Sequence, residues 1–141
     1  MPGRQHFDPL DIPHLLSNLW LIDAIGRPMR FRFRLIGTKI TALAGRDCTG
    51  KWVDDVYDDF SNTGAYHRMW LCAADGKPIF QRGKVISNPD CGGLQAERLY
   101  LPLASDGPEV DVILVMTIYL GVRAADAAYD KSLLDDRPTP P

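Results

Sequence analysis

The chain has 141 residues, 45% of them hydrophobic, a size at which one domain buries roughly two-thirds of the surface that its unfolded chain exposes. A formal net charge of -2 and a sequence pI of about 5.8 leave no basic footprint for nucleic acid or for an anionic membrane surface. No apolar run approaches the ~20 residues of a membrane span and the N-terminal Met1-Pro2-Gly3-Arg4-Gln5-His6 has no apolar signal core, so the expected location is cytoplasmic.

Residues 7–17 hold Asp8-Pro9 and Asp11-Ile12-Pro13, each an acidic residue ahead of a proline suited to the first turn of a helix, and predict one or two short helical turns. Leu19-Trp20-Leu21-Ile22-Asp23-Ala24-Ile25 predicts a first strand, Gly26-Arg27-Pro28 a turn, and the strand beginning at Arg30 the second arm of an antiparallel hairpin. In that second strand the alternation is strict: Phe31, Phe33 and Leu35 take one parity, Arg30, Arg32 and Arg34 the other. After Ile36 and Gly37 the period changes. Ile40, Leu43 and Ala44 fall three and four apart, Thr38 is a candidate N-cap and Gly45 a left-handed C-terminal cap, so a helix of about two turns is expected. To bury its apolar edge that helix has to fold back over the strand, which leaves a concave space between helix and sheet.

Trp52, Val56 and Phe60 recur every four residues and predict helical turns with one buried edge, from which Asp54, Asp55, Asp58 and Asp59 mostly point away. Over residues 61–74 a longer helix is expected, with Ala65, Met69 and Cys72 on one face, Tyr66 and Trp70 beside it, and Gly76 as its cap. Residues 79–87 predict a strand. In Gln95–Leu103 the leucines Leu99, Leu101 and Leu103 share one parity with Glu97, while Arg98, Tyr100 and Pro102 share the other; Pro102 predicts an edge or a bulge near the strand's end. Residues 110–120 are apolar on both parities, which predicts a central strand or one covered on both faces. Residues 123–136 predict a last helix and 138–141 a disordered tail, placing a domain at 1–122 with 123–141 appended. Cys48, Cys72 and Cys91 are odd in number and lack C-x-x-C spacing, and are expected as free thiols.

Two strands, three short helical pieces and three further antiparallel strands is an element order that resembles a PAS domain. Four segments resemble, in order, those of a small bacterial family of stand-alone PAS-like proteins: Asp11-Ile12-Pro13-His14-Leu15-Leu16, Phe33-Arg34-Leu35-Ile36-Gly37-Thr38, Gly45-Arg46-Asp47-Cys48-Thr49-Gly50 and Glu97-Arg98-Leu99-Tyr100-Leu101-Pro102-Leu103. The resemblance spans about residues 5 to 121. It implies an α+β, PAS-like fold, a five-stranded antiparallel sheet with short helices packed on one face. It also implies a sensory or ligand-binding role without an output domain of its own, signalling through protein–protein contact. The sequence holds no nucleophile elbow, Walker loop, paired-histidine metal motif or triad, so no catalytic residues are expected.

On that fold the expected ligand pocket is lined by Phe33, Leu35, Leu43, Val56, Trp70, Leu99, Leu101 and Met116, unless these residues simply fill a core. Glu97 shares the leucine parity, so it either pairs with Arg34 or another arginine or anchors a donor group of the ligand. The expected partners are a small-molecule ligand and either a second copy of the chain or a signalling protein, with no nucleic acid and no membrane. The identity of any cofactor is not readable. His67 lies on the long helix where haem-binding PAS domains place their ligand, yet a solvated histidine is the simpler reading. No segment matches the reactive-cysteine motif of LOV photoreceptors. The paired aspartates read as a solvated acidic face rather than a metal site, and the arginines of the second strand as cross-strand ion pairs. The alternatives are a homodimeric interaction module with a filled core and no ligand, and, more weakly supported, a small cone-shaped α+β enzyme with a polar pocket.

Overall fold

The computed structural model describes residues 3, 5, 8, 11–84 and 94–120. Within them a 3-10 segment (Pro13–Asn18) leads into β1 (Leu19–Ile25) and β2 (Arg30–Ile36). Three short helices follow, α1 (Thr38–Ala44), α2 (Val53–Val56) and α3 (Gly64–Asp75), and then β3 (Ile79–Lys84), β4 (Gln95–Leu103) and β5 (Val112–Leu120). The strands form one antiparallel sheet in the order β2-β1-β5-β4-β3. The apolar strand β5 therefore lies between β1 and β4, as its two-sided hydrophobicity requires.

Two apolar layers sandwich the middle of the sheet. On the inner face Ile22, Phe31, Phe33, Tyr100, Ile113 and Val115 pack against Val53, Phe60, Met69 and Cys72 of the helical layer. On the outer face Leu19, Leu21, Leu103, Val112 and Leu114 form a second cluster with Ile12, Leu101 and Met116. The hairpin contains a register shift between Leu21 and Ile22, so that Ile22 faces Phe33 while Leu21 faces Leu35. One extra residue in a strand turns everything beyond it to the opposite face. Phe31 and Phe33 thus point inward, and Leu35 points outward.

The helices depart from the simplest reading of their periodicity. Gly37, not Thr38, is the N-cap of α1, in extended conformation and without a side-chain cap, whereas Gly45 closes the helix at φ 78. None of the α1 residues is fully buried and the helix rests beside the 3-10 segment, but its Ile40 and Ala44 face a space that they share with Phe33 and Ile36 of β2. The run of Trp52, Val56 and Phe60 is not one helix either. Asp59 adopts φ 57 and separates α2 from a 3-10 turn at Phe60–Asn62. That turn takes up the residues expected to open α3, which begins instead at Gly64. Thr63 caps it: Oγ1 accepts from the Tyr66 N–H at 3.2 Å and donates to the Phe60 carbonyl at 2.7 Å.

The open edge of β2 is covered by the following loop, in which Gly50 N–H donates to Phe33 O at 2.6 Å and Phe33 N–H to Lys51 O at 2.9 Å. Pro102 lies in an interior strand. However, β3 ends with Ile79 opposite Tyr100, so at Pro102 that neighbour is gone and no ladder N–H is needed. The expected strand beyond Lys84, Cys91, and the helix and tail over 123–141 lie outside the described residues.

Candidate functional site

Between the inner face of the sheet and the helical layer lies a cavity of about 650 Å³. Domain interiors pack at a density of about 0.75, with few voids larger than a water molecule. A space of this size falls within the ~300–1,000 Å³ of small-molecule sites. Its apolar wall is made by Trp20 and Phe33 from the hairpin, Ile36, Ile40 and Ala44 around α1, Val53 and Phe60, and Ala65 and Met69 from α3. Its polar groups are Arg46, Tyr57, Thr63, Arg68, Gln81, Lys84, Arg98, Thr117 and Tyr119. Small residues at Ala44, Gly64, Ala65 and Gly83 keep volume free where larger side chains would fill it.

The polar groups are held from several elements. Trp20 Nε1 donates to Thr117 Oγ1 at 2.9 Å, and the Trp20 and Phe33 rings lie 6.0 Å apart at 32°. Arg98 Nη1 donates to Gln81 Oε1 at 3.3 Å across the β3–β4 pair. Gly83 makes that arrangement possible, because any Cβ there would collide with the Gln81 amide. Arg68 on α3 has its guanidinium carbon 6.0 Å from the Tyr100 ring centroid, and its buried Nε has no hydrogen-bond acceptor among the described residues. Arg46 donates to the Val56 carbonyl at 3.2 Å and lies over the Tyr57 ring. Burial, and then proximity to Cys48, push the Tyr57 phenol above its ordinary pKa, against the opposing pull of Arg46 and Arg98. Cys48 and Cys72 are free and buried, and burial raises the Cys72 thiol to about 12, which keeps it protonated.

Of the side chains expected at the pocket, Phe33 lines the cavity. Val56 packs on the inner core without lining it, and Leu43 on α1 is half-buried away from it. Trp70 on α3 is 42% exposed, and the register shift leaves Leu35 55% exposed. Glu97, Leu99, Leu101 and Met116 are on the opposite face of the sheet, where Leu99 faces Met116, Leu101 faces Leu114, and Leu101 and Met116 join the outer cluster. Parity identified correctly which residues of β4 share a face. With both faces apolar, it could not say which face carries the helices, and the Arg98–Tyr100 parity is the inner one.

Glu97 is paired across the sheet: Arg82 Nη2 lies 3.0 Å from its Oε1, so its partner is Arg82 and not Arg34. Arg32 and Arg34 both reach Asp23, at 3.2 and 3.3 Å. Arg30 reaches Asp54 at 2.8 Å and stacks 4.1 Å above the Trp52 ring. His67 is exposed and is not a lining residue. Among the described residues no group of three His, Cys, Asp or Glu side chains could hold a metal ion.

Sequence reasoning missed Trp20, Arg68, Gln81, Arg98 and Thr117. The available signal was polarity on the Arg98–Tyr100 parity of an interior strand, where a solvated reading cannot hold.

A five-stranded antiparallel sheet with short helices across one face and a ligand-sized compartment beneath them defines a class of α+β sensory domain. The particular family is shown by a family model described as PAS domain, which matches residues 1–117: the chain belongs to the PAS family. The fold is similar to that of the Rhodobacter sphaeroides LOV protein, with TM-score 0.51 and 12% identity over 86% of this chain and 73% of that one. A substituted form of RsLOV gives TM-score 0.49 and 13% identity over the same shares. At such identity the likeness is one of fold. No curated protein sequence matches the chain.

Proposed function

We propose that this PAS domain is a sensor that binds a small-molecule ligand in the cavity beneath α1–α3 and transmits its occupancy by contact with a signalling partner or a second copy of itself. The cavity carries the reading. An unfilled space of about 650 Å³ deprives its lining of dispersion contacts, and a ligand of matching shape restores them. A binding role is supported by the lining itself, an apolar wall with a few convergent polar groups. No described helix is long and apolar enough to cross a membrane, and we place the site of action in the cytoplasm. We place the domain at residues 1–122, with 123–141 appended to it.

Native mass spectrometry of the purified full chain, beside its absorption spectrum, tests the proposal. The expected result is a non-covalent mass increment that disappears on denaturation, or a rise in Tm with at least one compound of a metabolite set. A bare protein mass with no compound shifting Tm overturns it.

A second reading is favoured by one observation. On the outer face Phe80 on β3 and Ile118 on β5 are 61% and 37% exposed, and Leu35 at the opposite edge of the sheet is 55% exposed, apolar positions suited to a homodimer or partner contact. Light scattering of the wild type and of Phe80→Glu tests it. A dimer dissociated by the substitution is expected under this reading, and a monomer at every concentration removes the homodimer form of it.

A further inference from the structure

The charges around the cavity have one sign. The described lining includes Arg46, Arg68, Lys84 and Arg98 and neither aspartate nor glutamate, in a chain of net charge -2. Elsewhere the described arginines meet carboxylates: Arg27, Arg30, Arg32, Arg34 and Arg82 each lie within 3.8 Å of a carboxylate oxygen. Among the described residues the cavity arginines do not: Arg98 donates to the neutral amide oxygen of Gln81, Arg46 donates to a backbone carbonyl, and the buried Nε of Arg68 has no acceptor there. A guanidinium without a carboxylate partner keeps charged donors in reserve for a bound acceptor.

We infer that the cavity takes an organic acid, a ligand with an apolar body and one carboxylate-type end held by Arg68 and Arg98. The inference rests on the ligand-binding proposal above and gives that ligand its chemistry. A guanidinium presents parallel N–H groups that match the two oxygens of a carboxylate, and its charge raises the strength of each bond. Arg68 is set for this from two sides. Its guanidinium carbon stands 6.0 Å from the Tyr100 ring centroid, and Gly64 leaves open the space that a side chain would take, since a Cβ there would stand 2.9 Å from Arg68 Nη1. Arg98 stands two residues from Tyr100 on the same face of β4, so both guanidiniums flank one stretch of the sheet. The body of the ligand lies against Trp20, Phe33, Phe60 and Met69, which suit an aromatic or branched hydrocarbon better than a sugar.

Calorimetric titration of the full chain with naphthylacetate and with its uncharged counterpart naphthylethanol tests the inference. The acid is expected to bind about tenfold more tightly or better, as charge-assisted hydrogen bonds warrant. Arg68→Gln and Arg98→Gln should each lose most of that preference while the affinity for the alcohol holds, with thermal denaturation confirming that the variants fold. An alcohol bound as tightly as the acid overturns the organic-acid inference and leaves the cavity a ligand site. So does a preference that survives both substitutions. Failure of both compounds to bind overturns the inference alone if native mass spectrometry shows a bound mass, and overturns the ligand-binding proposal with it if the mass is bare.

Discussion

Trp20 on β1 donates its indole N–H to Thr117 Oγ1 on β5 at 2.9 Å, joining two adjacent strands on the floor of the cavity. Thr117 is 2% exposed, and its backbone carbonyl accepts from Asn18 Nδ2 at 2.9 Å. Replacing Thr117 by valine keeps the shape and removes the acceptor for the indole. The expected cost is about 1–3 kcal/mol, the penalty for an unsatisfied buried donor, whereas Thr117→Ser should recover most of it. Urea denaturation followed by Trp fluorescence measures both.

Gly37 joins β2 to α1 at a point where the chain passes against its own backbone. Its N–H donates to Leu19 O at 2.7 Å, and a Cβ on it would overlap Ser17 O and lie 2.7 Å from Leu19 O. Its φ of -64 is open to any residue, so the requirement is for space and not for conformation. Gly37→Ala must push α1 away from the 3-10 segment and is expected to cost about 1–3 kcal/mol, as overpacking does. A denaturation midpoint equal to wild type would show that the junction yields freely.

Asp23 is the shared acceptor for Arg32 and Arg34, with 13% of its side chain exposed against 42% and 47% for theirs. Because both guanidiniums reach water, removing the carboxylate does not strand a buried charge. Asp23→Asn is therefore expected to cost about 1–2 kcal/mol, below the 3–5 kcal/mol of a fully buried pair. Glu97→Gln, at the more exposed pair with Arg82, is expected to cost less than about 1 kcal/mol. Denaturation in low and high salt separates the two, since the exposed pair is the more strongly screened.

Cys72 is fully buried on α3, and burial raises its thiol from 9.0 to about 12. The folded state holds the proton more tightly than the unfolded state. Its contribution is therefore fully present below pH 9 and is lost as pH rises from about 9 to about 12. Wild type should lose stability over that window more steeply than Cys72→Ala, whose packing defect does not depend on pH. In the native protein Cys72 should also resist alkylation at mildly alkaline pH and react once the chain is unfolded. Parallel pH slopes in the two proteins would contradict this.

Much of the framework was legible along the chain. The bounds of β1 and β4, the central place of β5 and the glycine caps of α1 and α3 follow from periodicity and turn residues, because these are local properties that neighbouring residues impose on one another, and the family from the resemblance of four short segments. That a space lies between helices and sheet was legible, but its lining was not. Periodicity tells which residues of a strand share a face, and in β1, β4 and β5 both faces are apolar, so only the docking of α2 and α3 decides which face is roofed. The register shift that turned Leu35 outward depends on how two strands pair, not on either strand alone. Trp20, Arg68, Arg98 and Thr117 come from four separate elements, and the space they enclose exists only where distant parts of the chain stop short of touching.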